Sequence, residues 1–286
     1  MRKFFKRLLL IILLVVFAGL LFLGTSLVTP RLGWLRDKNP ELTSFQKHRL
    51  NEWREQDKSK SLKSHWRRLS RISPYLQQAV VIAEDDKFWQ HHGFDMEAMR
   101  EAMRKNWEKK TLRYGGSSIS QQLVKNLFLS PARSPIRKLR EAILTWRLEK
   151  ALSKKRILEL YLNVVEWGDG IFGAEAAAGY YYGKTAAALS PREAARLAAI
   201  LPMPRRYSRA SFLRSGYLDR RVAEINHVMI KRGLVPDESD EQAESQAAVQ
   251  EKQVNSPEGD VHAGLTNGGG AFILTEKLPK NWESFS

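Results

Sequence analysis

The sequence predicts a mainly α-helical domain behind a single N-terminal transmembrane helix. Three observations carry that expectation. An uncharged apolar run lies near the N-terminus, apolar residues recur at helical spacing between Ser and Pro caps, and no convincing alternating strand pattern or repeat is present. With 286 residues and 43% hydrophobic content, the chain can bury one substantial core and still carry appendages. It has no cysteine, which excludes a disulfide framework, a thiol nucleophile and a thiolate metal site.

The anchor comes first. Residues 1–7 carry Arg2, Lys3, Lys6 and Arg7, and residues 8–28 carry no charge. About 21 residues rising about 1.5 Å each cross a hydrocarbon core of about 30 Å. The basic flank predicts a cytoplasmic N-terminus and an exported body. A cleaved signal peptide is the competing reading, but its apolar core usually spans only about 7–15 residues. Gly24-Thr25-Ser26 is a weak cleavage site, so an uncleaved anchor is preferred.

Charge narrows the partners. The formal +16 is uneven, because residues 237–286 hold ten acids against three lysines. A basic body suits nucleic acid, an anionic membrane surface or a phosphorylated substrate. Export behind an anchor argues against nucleic acid and for lipid head groups or lipid-borne phosphates.

The elements follow in order. Residues 29–72, with Trp34, Trp53 and Trp66, read as a partly helical juxtamembrane connector near the head groups. The domain proper is expected over 73–236. Ser73-Pro74 caps a helix running to about Glu84. A second helix is expected over 96–107, its Met96, Met99, Met103 and Trp107 stripe packing into the core. Tyr114-Gly115-Gly116 breaks the chain, Ser117 caps the next helix, and Ser130-Pro131 ends it. Ser134-Pro135 opens a helix with Ile136, Leu139, Ile143 and Trp146 as its buried face, and Ser153 starts another. Ser190-Pro191-Arg192-Glu193 is a capping box for a helix over 194–201. Residues 237–286 are too polar to offset their ordering entropy and read as an acidic, disordered tail.

Glu84-Asp85 directly follows the apolar run Ala79-Val80-Val81-Ile82-Ala83. Lost solvent and the negative helix pole both raise a carboxyl pKa there, toward the range useful for proton transfer. A helix ending in solvated acids is the plainer reading. Arg137, Arg140 and Glu141 share one helical face, with Arg133 just before it and Lys125 on the preceding element. That face is either solvated, with an Arg137–Glu141 ion pair, or a cationic cradle for a diphosphate leaving group. Gly115-Gly116-Ser117-Ser118 with Gln121-Gln122 is either a turn or a loop that binds sugar and phosphate. His91 and His92 are adjacent and lack a third ligand nearby, so they read as structural rather than metal-binding.

These segments resemble one family, the peptidoglycan glycosyltransferases or transglycosylases. Glu84-Asp85-Asp86-Lys87-Phe88-Trp89-Gln90-His91-His92-Gly93 is similar to its first signature, E-D-x-x-F-x-x-H-x-G. Gly116-Ser117-Ser118-Ile119-Ser120-Gln121-Gln122 is similar to the second, with Ser118 where threonine is usual. Arg137-Lys138-Leu139-Arg140-Glu141 matches the third. The segments from Lys155 to Asn163 and from Arg196 to Pro202 match the fourth and fifth. The run Leu201-Pro202-Met203-Pro204-Arg205-Arg206-Tyr207-Ser208 further resembles the monofunctional branch from Gram-negative bacteria.

The resemblance implies a lysozyme-like helical domain that polymerises lipid II into β-1,4 glycan strands, releasing undecaprenyl diphosphate. It implies Glu84 as general base and Glu141 as a second catalytic carboxylate that orients cations. It further implies that Asp85, Ser117, Gln121, Gln122, Lys125, Arg133, Arg137, Lys138 and Arg140 bind substrate. No metal site is expected; Mg²⁺ or Mn²⁺ could assist at the diphosphate without being required. The implied partners are lipid II, the growing glycan strand and inner-membrane lipid, with room for other cell wall synthesis or division proteins. The implied location is the cell inner membrane, single-pass, with a periplasmic catalytic domain. Two competing readings remain: a lysozyme-like enzyme that cleaves peptidoglycan, as muramidases and lytic transglycosylases do, and a catalytically silent, membrane-anchored scaffold.

Overall fold

A computed structural model of the chain describes residues 2–28, 30–111, 115–132 and 134–236. The break at Tyr114, the predicted ligand Arg133 and the acidic tail lie outside the described residues.

α1 (Arg2–Val28) is apolar enough over Arg2–Leu21 to cross a membrane. Core packing begins soon after it. Leu32 and Leu35 are buried, and α2 (Ser44–Glu55) is opened by a capping box in which Thr43 and Gln46 satisfy each other's backbone N–H groups. α2 buries Trp53 and Arg49, and the Arg49 guanidinium grips Glu166 through two bonds of 2.9 and 2.7 Å. The connector, expected to be partly helical, thus packs onto the body through α2. Leu32, Leu35 and Trp53 are buried while Trp34 and Leu42 stay exposed, and the buried polar Thr43, Gln46 and Arg49 are paired.

β1 (Lys63–Ser64) precedes α3 (Pro74–Glu84), which buries Leu76, Ala79, Val80 and Val81. Ser73 occupies the N-cap position, but its hydroxyl donates to the Leu189 carbonyl instead of capping. α4 (Met96–Glu108) is capped by the Asp95 carboxylate, which accepts from the Glu97 and Ala98 N–H groups. The stripe expected in the core faces outward. Met96, Met103 and Trp107 are 64%, 70% and 86% exposed, and no residue of α4 is buried.

α5 (Ile119–Phe128) starts one residue later than expected. Ser118, not Ser117, is its N-cap and forms a capping box with Gln121. α6 (Pro135–Ala151) buries Glu141, Leu144, Thr145 and Leu148, while Ile136, Leu139 and Trp146 are exposed. The expected buried face was thus the wrong apolar stripe: this helix has two, and the inward one carries a carboxylate. α7 (Lys154–Val164), capped by Ser153, buries Ile157, Leu158, Leu160, Tyr161 and Leu162.

β2 (Glu166–Gly168) and β3 (Ile171–Phe172) pair antiparallel, and β1 joins β3 in parallel to complete a small sheet ordered β1-β3-β2. No strand signal is visible in the sequence because these segments are two or three residues long, too short for alternation to register. α8 (Ala174–Tyr182), α9 (Pro191–Ile200), α10 (Arg209–Arg214) and α11 (Gly216–Lys231) complete the body. α9 begins on the predicted Ser190–Glu193 capping box. α3 packs against α9 and α11, and α5 packs against α2, α6 and α7. These two groupings position the site.

Candidate active site

The first two signatures are tied together by their least reactive members. Asp85 is buried: one carboxylate oxygen accepts from the Ile119 N–H at 2.9 Å, and the other meets His91 Nε2 at 2.8 Å. His91 Nδ1 accepts from the Gly93 N–H at 3.1 Å, which leaves Nε2 as the protonated donor to Asp85. The Ser118 hydroxyl donates to the Gly93 carbonyl at 2.6 Å. Gly93 has φ +90, and a Cβ there would lie 2.9 Å from Thr145 Cγ2. Only glycine fits this corner. Asp85 and Gln121, expected to bind substrate, hold the start of α5 in place, and His91 is part of the same clamp.

That clamp sets the end of α3 beside the first turn of α5. Gln122 Nε2 donates to Glu84 Oε2 at 2.7 Å, and the Tyr161 hydroxyl from α7 donates to Gln122 Oε1 at 2.9 Å. Glu84 borders a cavity of about 330 Å³ shared with Asp86, Glu97, Glu101, Gly116 and Ser117. Gly116 lets its loop lie against α4, since a Cβ there would sit 2.8 Å from Met99 Cα. Burial pushes the Glu84 carboxyl above its ordinary value, with Asp85 adding to the effect. The Gln122 hydrogen bond and the charges of Arg221 and Lys125 oppose it.

The cations gather on the other side. Glu141 is buried on α6 and accepts from Arg137 Nη1 at 2.9 Å and from Lys138 Nζ. Lys138 Nζ also lies 3.5 Å from the Ser117 hydroxyl, which brings this group to the edge of the Glu84 cavity. Lys125 links the two halves electrically: its ammonium feels Glu141, Arg137 and Lys138 as well as Glu84. Burial lowers its pKa, with Arg137 and Lys138 acting in the same direction and Glu141 and Glu84 against it. Arg140 lies one turn along α6 from Arg137 and is half-buried.

Both Glu141 oxygens are taken by cations. Among the described residues, no group of three or more His, Asp or Glu side chains is gathered to hold a metal. The Mg²⁺ or Mn²⁺ allowed for at the diphosphate finds no ligand set in these residues.

Two contributors were missed. Arg221 on α11 acts on the Glu84 charge, and its Nε is buried without a hydrogen bond among the described residues. Its signal was available: it sits three residues after Leu218 and four before Ile225, so it borders the buried stripe of α11. Tyr161 lies within the fourth signature without an assigned role, although a buried phenol needs a polar partner.

A largely buried carboxyl of raised pKa, with a cavity edge on which Lys138 and Arg137 pair with the buried Glu141, defines a class of site. Such an arrangement can remove a proton at one side and stabilise negative charge at the other. Comparison with known proteins specifies the class further. The family profile described as "Transglycosylase" matches residues 49–230. A biosynthetic peptidoglycan transglycosylase of Azoarcus sp. (strain BH72) is 52% identical over 198 residues, covering 69% of this chain and 85% of that protein. The protein of the same description from Nitrosospira multiformis is 46% identical over 206 residues, covering 72% of this chain and 87% of the relative. That from Methylobacillus flagellatus is 49% identical over 176 residues, 62% of this chain and 77% of the relative.

The chain belongs to the transglycosylase family. It is a glycosyltransferase of the monofunctional peptidoglycan kind, and its mainly helical body is the lysozyme-like domain of that family. The match begins at residue 49, inside α2, in keeping with the packing of that helix into the body.

Proposed function

We propose that the chain polymerises lipid II into β-1,4-linked glycan strands, with Glu84 as the general base. The donor is the growing strand, joined by its terminal MurNAc to undecaprenyl diphosphate, and the acceptor is lipid II, offering its GlcNAc 4-hydroxyl. Glu84 takes the proton from that hydroxyl. The oxygen attacks the donor's anomeric carbon from the face opposite the diphosphate, a new C–O bond forms, and the bond to the diphosphate oxygen breaks. Configuration inverts from α to β.

Charge then builds on the departing diphosphate, and fixed cations stabilise it without reorganisation. Lys125, Arg137, Lys138 and Arg140 take that role, and Arg133 joins them by its place in the signature. Glu141 keeps Arg137 and Lys138 aimed. Ser117, within reach of Lys138, contributes a hydroxyl to the same edge. The observation that carries this reading is the place of Lys138, which pairs with Glu141 and reaches Ser117 on the rim of the Glu84 cavity.

The outward apolar faces of α4 and α6 support a membrane-side role. Trp107, Met103 and Ile136 are exposed, and Arg100 and Lys110 flank them on the α4 side. We assign this face to the outer leaflet of the inner membrane, reached with α1 spanning the bilayer and the N-terminus in the cytoplasm.

The test is labelled lipid II with the purified full-length protein, products resolved on a gel, and finished sacculi as a parallel substrate. Glycan chains form from lipid II, and no sugar is released from sacculi. Glu84→Gln lowers polymerisation by at least about 100-fold, the lower range for loss of a general base. A folded Glu84→Gln protein that polymerises at the parental rate would remove Glu84 from its role.

A further inference from the structure

The amide of Gln122 is bonded at both ends. Nε2 donates to Glu84 Oε2 at 2.7 Å and, more weakly, to the Ser117 carbonyl at 3.4 Å. Oε1 accepts from the Tyr161 hydroxyl at 2.9 Å. The two ends of an amide are nearly the same size, so its direction is decided by its partners. The carboxylate cannot decide alone, because a protonated Glu84 could donate to Oε1 just as an ionised one accepts from Nε2.

Tyr161 breaks that tie. Its ring is buried in α7, where its hydroxyl can reach Gln122 but not solvent. Burial, reinforced by the negative charges of Glu84 and Asp85, raises its pKa far above the ordinary phenol value, so it remains a donor at any working pH. A fixed donor demands an acceptor, and Oε1 is the acceptor end. Nε2 must then face Glu84, and a carboxyl facing an N–H is favoured in its ionised form.

We propose that Tyr161 is a positioning residue: its hydroxyl fixes the direction of the Gln122 amide and so keeps Glu84 as the hydrogen-bond acceptor that a proton-abstracting base must be. This rests on the reading of Glu84 as the base. Other groups also face Glu84: Lys125 from α5 and Arg221 from α11 favour its charge, and Asp85 opposes it. Asp86, Lys87, Asp95, Glu97 and Glu101 line the rest of the cavity. Removing the Tyr161 hydroxyl leaves the charge of all of these unchanged, so a shift in the titration of Glu84 reports the amide alone.

The experiment is kcat/KM against pH for lipid II polymerisation by full-length Tyr161→Phe, which keeps the ring and loses only the oxygen. With the donor gone the amide is free to turn, and the acid limb moves up by about one pH unit, the scale of one hydrogen bond to a charged group. The rate then falls by about tenfold below the shifted limb and recovers to near parental at alkaline pH. Gln122→Met, which removes the amide, shifts the limb in the same direction, and adding Tyr161→Phe to it produces no further shift, because the hydroxyl acts only through the amide. An equal loss at every pH, with the limb unmoved, would mark Tyr161 as mere packing and overturn the proposal. So would a further shift in the double variant beyond that of Gln122→Met, or, if Tyr161→Phe is too unstable to assay, an unmoved limb in Gln122→Met. Parental activity in Glu84→Gln would instead sink the base assignment, a separate result.

Discussion

α7 and α4 both carry apolar side chains at helical spacing, yet they end in opposite environments. In α7, Ile157, Leu158, Leu160, Tyr161 and Leu162 are buried among other helices. In α4, Met96, Met103 and Trp107 point out, and nothing on the helix is buried. Apolar periodicity says that a face avoids water, not what it meets instead. The compositions differ in a telling way. α7 is packed with branched aliphatics, which interlock in a core, whereas α4 offers flexible methionines and a tryptophan, residues that suit a lipid–water boundary. α6 shows both behaviours on one helix, with Leu144 and Leu148 inward and Ile136 and Trp146 outward.

Substitutions on the two helices can break this comparison. The largest effect belongs to the core: Leu158→Ala costs about 2–5 kcal/mol of unfolding free energy in denaturant titration. A smaller loss would mean that α7 is less tightly packed than its burial indicates. Next comes the outward face. Replacing Met103 and Trp107 together by Ala weakens binding to anionic vesicles by about tenfold, since each deleted side chain forfeits about 1.5–3 kcal/mol of possible apolar burial and only part of it lies in lipid. Turnover of detergent-dispersed lipid II stays unchanged. Unchanged vesicle binding would remove the bilayer from the account of α4. The smallest effect sharpens the contrast: Met103→Ala shifts stability in detergent by no more than about 0.5 kcal/mol.

A similar contrast separates the two titrating groups of the site. Glu84 works ionised and its pKa is raised, so activity is lost at a higher pH than for a free glutamate as the medium is acidified. Lys125 works charged and its pKa is lowered, so activity fades earlier than for a free lysine as pH rises. The kcat/KM profile is therefore a bell narrowed on both sides. Lys125→Arg, which stays charged, pushes the alkaline limb outward and leaves the acid limb in place. A fixed alkaline limb would show that another group sets it.

Much of the fold was legible where local rules and burial agree. The ends of α3 and the caps of α6, α7 and α9 could be read from residue order. What could not be read depended on partners far along the chain. Asp85 is a clamp because Ile119 and His91 meet it there, and Gln121 is a cap because Ser118 rather than Ser117 begins the helix. Glu141 points inward because Arg137 and Lys138 neutralise it, which reversed the expected phase of α6. Arg49 drew the connector into the body through Glu166, an acid more than a hundred positions away.

That last contact sets the height at which the enzyme works. Leu32 is already in the core, four residues after α1 ends at Val28, so little slack separates the membrane-crossing rod from the catalytic machine. An enzyme mounted this way does not range far from its anchor. So short a link fits a single-pass anchor that keeps the site close to a lipid-borne substrate.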